Sequence, residues 1–229
     1  MPVRYTIKRS SRRRTVSLEV RDAQLLVRAP VGIAERDLDR FVRQKSDWIA
    51  RKVRAQQQML ARIPEYRYVS GTRLPFMGQQ LTLSVTMGSR GRVEQVGDRL
   101  AVCCSRRSRL EPEAQARRLV QGWYREQGLE RLRAKTDALT RQMELSHSGV
   151  RVRVTRSKWG HCTRSGEIQY NWQILLAPEA VVDYLVAHEV CHLRHMNHSR
   201  AFWQLVGQVC PDYLRQRDWL KANGRCLVL

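Results

Sequence analysis

The sequence predicts an α+β fold, in which a β-rich N-terminal region with a long helix is followed by a domain with a small sheet and a helix carrying the motif His-Glu-Val-Cys-His. Three patterns predict this fold. Apolar and polar residues alternate over 15–28 as they do in a hairpin, and apolar residues recur every three or four positions over 34–61 and 111–144 as they do in helices. An apolar run also leads directly into His188–His192.

The elements can be placed in chain order. We predict strands over 3–29 with a turn at Asp22-Ala23, a helix over 34–61, further strands over 68–104, a helix over 111–144, strands over 150–154 and 168–175, and helices over 178–192, 199–209 and 211–222. The basic segment Ser105–Arg109 is taken as the boundary between a basic β-rich region, 1–110, and a second domain, 111–229.

The motif His188-Glu189-Val190-Cys191-His192 predicts a catalytic zinc site. Two histidines four residues apart lie on one face of a helix, where both imidazoles reach one metal ion. Glu189 lies about 100° around the helix, within reach of a water molecule on that metal. Three nitrogen ligands and a water leave one open position, which is typical of catalytic zinc.

The third ligand is expected to be His198. On a continuous helix it would lie about 15 Å from His188, so the helix must end and the chain must turn back. Asn197 suits a left-handed helix terminus, and Ser199 suits the N-cap of the next helix. No glutamate follows Glu189, but two aspartates stay open as alternatives, and His195 is placed beside the site or at the surface. These aspartates are Asp212 and Asp218.

The chain resembles the YgjP-like metallopeptidase family over nearly its whole length. The segments that carry the resemblance are Arg9–Arg13, Val27–Pro30, Trp48-Ile49, Phe76–Gly78, Ser157–Gly160, Asn171-Trp172, His188–His192 and Asn197–Trp203. The resemblance implies a zincin-like catalytic domain, related in pattern to SprT-type and Wss1-type proteases. It also implies His188, His192 and His198 as metal ligands and Glu189 as the base. His161 departs from the pattern, because the family usually has a small serine there.

A peptide substrate is expected to pair with an exposed strand edge beside the metal, since backbone hydrogen bonds would then align the scissile carbonyl. We predict Glu167–Trp172 as that edge. Tyr170 and Asn171 are candidate donors to the developing oxyanion, and His161 is a candidate substrate contact. In the expected reaction, Glu189 takes a proton from a zinc-activated water and passes it to the leaving amine.

The net charge of +21 predicts attraction to polyanions. It is uneven, because residues 1–110 contain 24 basic and 9 acidic residues whereas 111–229 contain 18 and 12. Nonspecific contact with a nucleic-acid backbone is therefore expected at one basic run, although arginine-rich composition alone also produces such charge. The run consists of Lys8, Arg9, Arg12, Arg13 and Arg14.

The sequence has no apolar run long enough for a membrane helix and no signal-peptide core, and its six cysteines form no CxxC pair. We therefore expect a cytoplasmic protein with no membrane partner. Three functions fit these observations: a zinc metallopeptidase acting on protein or peptide, a metal-dependent nucleotide triphosphate hydrolase, and a basic nucleic-acid-binding module with a structural metal site. The oligomeric state stays open.

Overall fold

The computed structural model describes residues 4–155 and 157–229, and the α+β prediction is confirmed. The chain forms two compact units, one ending at Ile63 and the other spanning Pro64–Leu229. Each unit has its own buried apolar cluster.

The first unit combines a small sheet with two helices. Its strands are β1 (Tyr5–Arg9), β2 (Ser17–Arg21) and β3 (Gln24–Ala29), in the order β1-β3-β2. The predicted hairpin is confirmed, because β2 and β3 pair antiparallel around Asp22 and Ala23, both of which have positive φ. The predicted helix over 34–61 is instead α1 (Glu35–Gln44) and α2 (Ser46–Leu60), since Lys45 leaves helical geometry between them.

The second unit begins with a four-stranded sheet that packs against a long helix. The strands are β4 (Arg73–Phe76), β5 (Gln79–Gly88), β6 (Arg92–Val96) and β7 (Arg99–Ser105), in the order β4-β5-β7-β6, and the helix is α3 (Pro112–Gln142). Leu81 and Leu100 of the sheet share one buried cluster with Val120 and Tyr124 of α3. The boundary expected near 105–111 therefore lies inside this unit.

A three-stranded sheet follows α3. Its strands are β8 (Gly149–Arg153), β9 (Gly160–Cys162) and β10 (Glu167–Asn171), in the order β8-β10-β9. The predicted edge at Glu167–Trp172 is wrong, because β10 lies between the other two strands and β9 is at the edge.

The strand predicted to reach residue 175 ends at Asn171. The Asn171 side chain accepts a hydrogen bond from the Gln173 amide and begins a 3₁₀ helix, Trp172–Leu176.

Three helices complete the second unit: α4 (Glu179–Cys191), α5 (Arg200–Val209) and α6 (Tyr213–Asn223). Helix α4 begins directly after Pro178, as predicted. The ammonium group of Lys135 on α3 lies 2.8 Å from Glu179 and 2.7 Å from Asp183, and so connects α3 to α4. None of the helices in the described part of the chain combines the length and apolarity that crossing a membrane requires.

Close packing between α3 and the 3₁₀ helix generates a stability prediction. A Cβ atom at Gly128 would lie 2.9 Å from Cβ of Trp172, whereas one at Gly122 on the same helix would meet nothing within 4 Å. Gly128→Ala is expected to lower the free energy of unfolding by about 1–3 kcal/mol through overpacking. Gly122→Ala, the matched control, is expected to raise it by about 0.5–1 kcal/mol through helix propensity.

Chemical denaturation of the full chain measures both variants. Equal stabilisation by the two substitutions would contradict the close approach of α3 to Trp172.

Candidate active site

Helix α4 carries the motif histidines and Glu189 into the interior of the second unit. Apolar residues cover it on several sides, among them Val182, Val186 and Val190, which are buried. The helix ends at Cys191, and His192 is its C-terminal cap residue. Tertiary packing therefore fixes the position of the motif, and the chain must turn back immediately after it.

The segment after α4 makes that turn without a left-handed residue. Asn197 is not among the described residues with positive φ, so the expected left-handed terminus is wrong. Backbone hydrogen bonds from Arg194 and His195 to the carbonyl of Cys191 tighten the end of the helix instead. The cap predicted for the next helix is confirmed, because Ser199 Oγ accepts a hydrogen bond from the Phe202 amide at 3.4 Å.

The turn brings three imidazoles together. One nitrogen from each of His188, His192 and His198 lies within 4.8 Å of the other two. Nε2 of His198 is 3.1 Å from Nε2 of His188, close to the roughly 3.3 Å between two nitrogens bound tetrahedrally to one zinc ion. The described part of the chain contributes no carboxylate to this group, so neither Asp212 nor Asp218 joins it.

The orientation of His192 is fixed by the backbone. Its Nδ1 lies 2.9 Å from the carbonyl oxygen of His195 and donates to it in the neutral ring. Nε2 then has its lone pair free, which is the tautomer that binds a metal. His195 thus acts through its carbonyl group. Nδ1 of His188 is buried without a hydrogen-bond partner among the described residues.

Aromatic rings from α5 and α6 support the histidines. Phe202 stacks on His192 at 4.5 Å between centroids, and Trp203 stacks on His198 at 5.6 Å. Tyr213 in turn stacks on Trp203 at 5.4 Å. These contacts restrict the imidazoles to one arrangement, so less conformational freedom is lost when a metal binds.

The pKa shifts of the histidines favour neutral rings. The pKa of His188 is lowered to about 3, chiefly by burial and also by the neighbouring His192 and His198. Burial also lowers the pKa of His192. Both rings are therefore neutral near pH 7, which is the form that ligates a metal.

Glu189 is held against the edge strand β9. Its side chain is only 4% exposed. Burial raises its pKa to about 8, while the charge of Lys158 opposes that rise. A Cβ atom at Gly160 would overlap the Glu189 carboxylate, so only glycine lets the strand backbone approach so closely. The sequence pattern did not predict this contact of Gly160, because it joins residues 29 positions apart.

The site opens into a cavity of about 460 Å³. His161, predicted as a substrate contact, is exposed. It lines this cavity together with Glu189 and the three converging histidines. Lys158 also lines it, although sequence reasoning assigned this residue no function. The cavity therefore places a solvent-accessible space directly beside the three imidazoles and Glu189.

Neither Tyr170 nor Asn171, the predicted donors to the oxyanion, lines this cavity, although Asn171 lines a neighbouring one. Tyr170 is fully buried, and its hydroxyl lies 2.9 Å from that of Thr136. Asn171 is 3% exposed, and its amide group bonds to the backbone of Thr155 and Gln173. Both side chains shape the sheet beneath the site, because strand β10 is central.

The N-terminal basic run lies in the first unit, and only some of its side chains form hydrogen bonds within the protein. Its members are Lys8, Arg9, Arg12, Arg13 and Arg14. The guanidinium of Arg9 donates to the Ile33 carbonyl at 2.6 Å, and that of Arg13 donates to Ser17 Oγ at 2.8 Å. Lys8, Arg12 and Arg14 are exposed. Part of the run therefore has structural partners, and three residues present charge to solvent.

Comparison with known proteins defines the class. A buried helix that supplies two histidines and a glutamate, with a third histidine returned by a tight turn, is the arrangement of a metallohydrolase. The chain matches the YgjP-like, metallopeptidase domain family over residues 14–223, and it belongs to that family.

Two individual proteins are also similar. UTP pyrophosphatase of Escherichia coli (strain K12) is 32% identical over 65 residues, which are 28% of this chain and 39% of that protein. The chain thus matches well under half of the length of this relative. The metallopeptidase zymogen of Pyrococcus abyssi abylysin has 21% sequence identity and a TM-score of 0.36, and the match covers 39% of this chain and 90% of that one.

The histidine group generates a metal-binding prediction. His198→Ala removes one of three converging nitrogens and is expected to weaken zinc binding by more than about 100-fold, beyond the effect of an outer hydrogen-bond partner. His195→Ala is the matched control, because it keeps the carbonyl that orients His192. Zinc content after competition with a chelator measures both, and equal retention by the two variants would exclude His198 as a ligand.

Proposed function

We propose that this chain is a zinc-dependent metallopeptidase in which His188, His192 and His198 hold the metal and Glu189 is the general base. The observation that carries this proposal is the convergence of three imidazoles beside one buried glutamate at an open cavity. Membership of the YgjP-like metallopeptidase domain family supports the same reaction class.

The donor set fits zinc. The group has three nitrogen donors and, within the described chain, no carboxylate, whereas magnesium and calcium prefer several oxygen ligands. Nε2 of His188 and Nε2 of His198 face each other at 3.1 Å, and the hydrogen bond from Nδ1 of His192 leaves its Nε2 free to act as a ligand. A zinc ion held there would lower the pKa of a water molecule and polarise the carbonyl of a substrate.

Glu189 would move the proton. Its burial raises its pKa to about 8, and the positive charge of a bound cation would lower that pKa towards neutrality, because an opposite charge favours the carboxylate. A general base works best when its pKa lies near the working pH. Glu189 would accept a proton from water and later donate it to the leaving amine, while Gly160 keeps its carboxylate in place.

The edge strand β9 would align a peptide. It pairs with β10 on one side, and no strand of the described chain pairs with its other side. Gly160, His161 and Cys162 line the cavity beside the histidines. An extended substrate would bind by adding a strand there, and His161 would be placed to donate a hydrogen bond to it.

Hydrolysis of nucleoside triphosphates is the second candidate. Two observations favour it: the similar E. coli protein is a UTP pyrophosphatase, and the cationic side chain of Lys158 lines the metal cavity. The same base and metal would activate water against a phosphoanhydride in place of an amide. The two candidates share their catalytic residues and differ only in what the cavity walls bind.

We further propose a cytoplasmic location, supported by six free cysteines. Nonspecific attraction to nucleic-acid backbones is proposed for Lys8, Arg12 and Arg14, whose side chains are exposed. In the third interpretation, a nucleic-acid-binding module would use the metal only for stability. Substitution of Glu189 distinguishes this interpretation from the two hydrolase functions, because only a hydrolase would lose turnover.

Glu189→Gln is expected to lower turnover by about 10²–10⁴-fold, because it removes the general base, and to leave zinc content unchanged. Glu179→Gln, the same change on an exposed part of helix α4, is the control and should retain activity. The assay compares zinc-loaded full chain on a denatured protein, on a library of peptides and on UTP. Turnover of one substrate that persists in Glu189→Gln would refute the role of Glu189.

Gly160→Ala tests the support of the base. The added methyl group would displace the Glu189 carboxylate, so turnover should fall by about 100-fold or more while zinc remains bound. Gly149→Ala, in strand β8, is the control, because a Cβ atom there meets nothing within 4 Å. Unchanged turnover in Gly160→Ala would mean that the position of Glu189 does not depend on this contact.

A further inference from the structure

A second cavity, of about 770 Å³, lies next to the metal cavity and shares part of its wall. Lys158, Trp159, Tyr184 and Leu220 line both cavities. The second cavity is lined by four cationic residues and, within the described chain, by no acidic one. The cationic residues are Lys158, Arg217, Lys221 and Arg225.

Three of these cations are arranged along one side of helix α6 and its continuation. Arg217, Lys221 and Arg225 are spaced four residues apart, so each lies about 6 Å beyond the last along the axis. Like charges at this spacing repel one another and destabilise a helix. An anion bound between them would offset this repulsion.

Few carboxylates neutralise the cluster. Arg217 lies 3.7 Å from Asp218, and this pair is exposed, so it contributes little. Within the described chain, no carboxylate forms an ion pair with Lys158, Lys221 or Arg225, whereas Lys135 elsewhere in this unit contacts two. The cavity therefore concentrates positive charge that the protein itself leaves largely uncompensated.

Hydrogen bonds hold the backbone on either side of the fourth cation, Lys158. The Thr155 hydroxyl donates to the Lys158 carbonyl. Asn171 binds this loop on both sides, because its side chain donates to the Thr155 carbonyl at 3.2 Å and its amide donates to the Trp159 carbonyl at 2.7 Å. Asn171 therefore helps to position the backbone of Lys158.

The cation cluster is connected to the metal site. The guanidinium of Arg217 lies 5.4 Å from the centre of the Trp203 ring, and that ring stacks on His198. On the other side, Lys158 lines the metal cavity together with Glu189. A ligand that spans the two cavities would therefore place its anionic groups beside the cations while its remainder lies at the histidines.

We propose that this second cavity is a binding site for an oligophosphate, a chain of two or more linked phosphate groups. Guanidinium groups bind phosphate through paired hydrogen bonds, and several cations that line one cavity match several charges on adjacent groups. A peptide presents its carboxylates on separate, flexible side chains, and so matches this arrangement less well. Binding here requires no metal, so it can succeed or fail independently of hydrolysis.

The test is calorimetric titration of the chelator-treated full chain with sodium tripolyphosphate at constant ionic strength. One site per chain is expected. Lys221→Ala and Arg225→Ala should each weaken binding by about tenfold or more, since each removes a charge-assisted hydrogen bond, and Lys221→Arg should restore it. Arg215→Ala, an exposed residue of α6 that does not line the cavity, is the matched control and should change affinity by less than about threefold.

Several outcomes would overturn the proposal. One is an equal loss in Arg215→Ala and Lys221→Ala, which would indicate attraction by the general positive field. Another is equally tight binding of tetraglutamate, which would assign the cavity to acidic peptides. Absence of tripolyphosphate binding to folded wild-type chain would also refute it, whatever the chain hydrolyses when loaded with zinc.

Discussion

The burial of helix α4 is the constraint on which the site depends. Nine of its 13 residues are buried, because it lies among α3, the 3₁₀ helix, α5 and α6. Polar side chains on such a helix are costly unless they have partners. His188 and Glu189 line the cavity of about 460 Å³, where burial lowers the pKa of His188 and raises that of Glu189.

The remaining parts of the site are brought to this helix by separate elements. The turn after Cys191 returns His198, the rings of Phe202 and Trp203 hold the imidazoles, and the backbone of β9 contacts Glu189 at Gly160. Each of these contacts restricts a side chain before any ligand arrives. Such preorganisation reduces the cost of ordering the site when metal and substrate bind.

The two cavities would bind different ligands beside the one proposed catalytic arrangement. Activated water, a carboxylate base and an electrophilic cation suit the hydrolysis of an amide or of a phosphoanhydride. Which of the two bonds is hydrolysed would depend on the residues that line the cavities. The free edge of β9 would suit an extended peptide, whereas Lys158 and the cations of α6 would suit phosphates. Under the proposed function, substrate preference would depend on the residues that surround the three histidines.

The sequence by itself determined the elements whose signals are local. The spacing of His188 and His192, the proline before α4, the serine that caps α5 and the hairpin at Asp22-Ala23 are short-range patterns, and the structure contains each of them. The convergence of His198 with His188 and His192 was also predicted. On a continuous helix His198 would lie too far from His188 to share a metal, so the helix had to end between them. Only the tertiary structure decided that β9 is the edge strand and that Tyr170 and Asn171 are buried in the central strand β10. It also decided that the four-stranded sheet shares a core with α3, and that Gly160 and Lys158 lie beside Glu189. These features depend on strand order and on contacts between residues far apart in the chain, and an alternating or helical pattern contains no information about either.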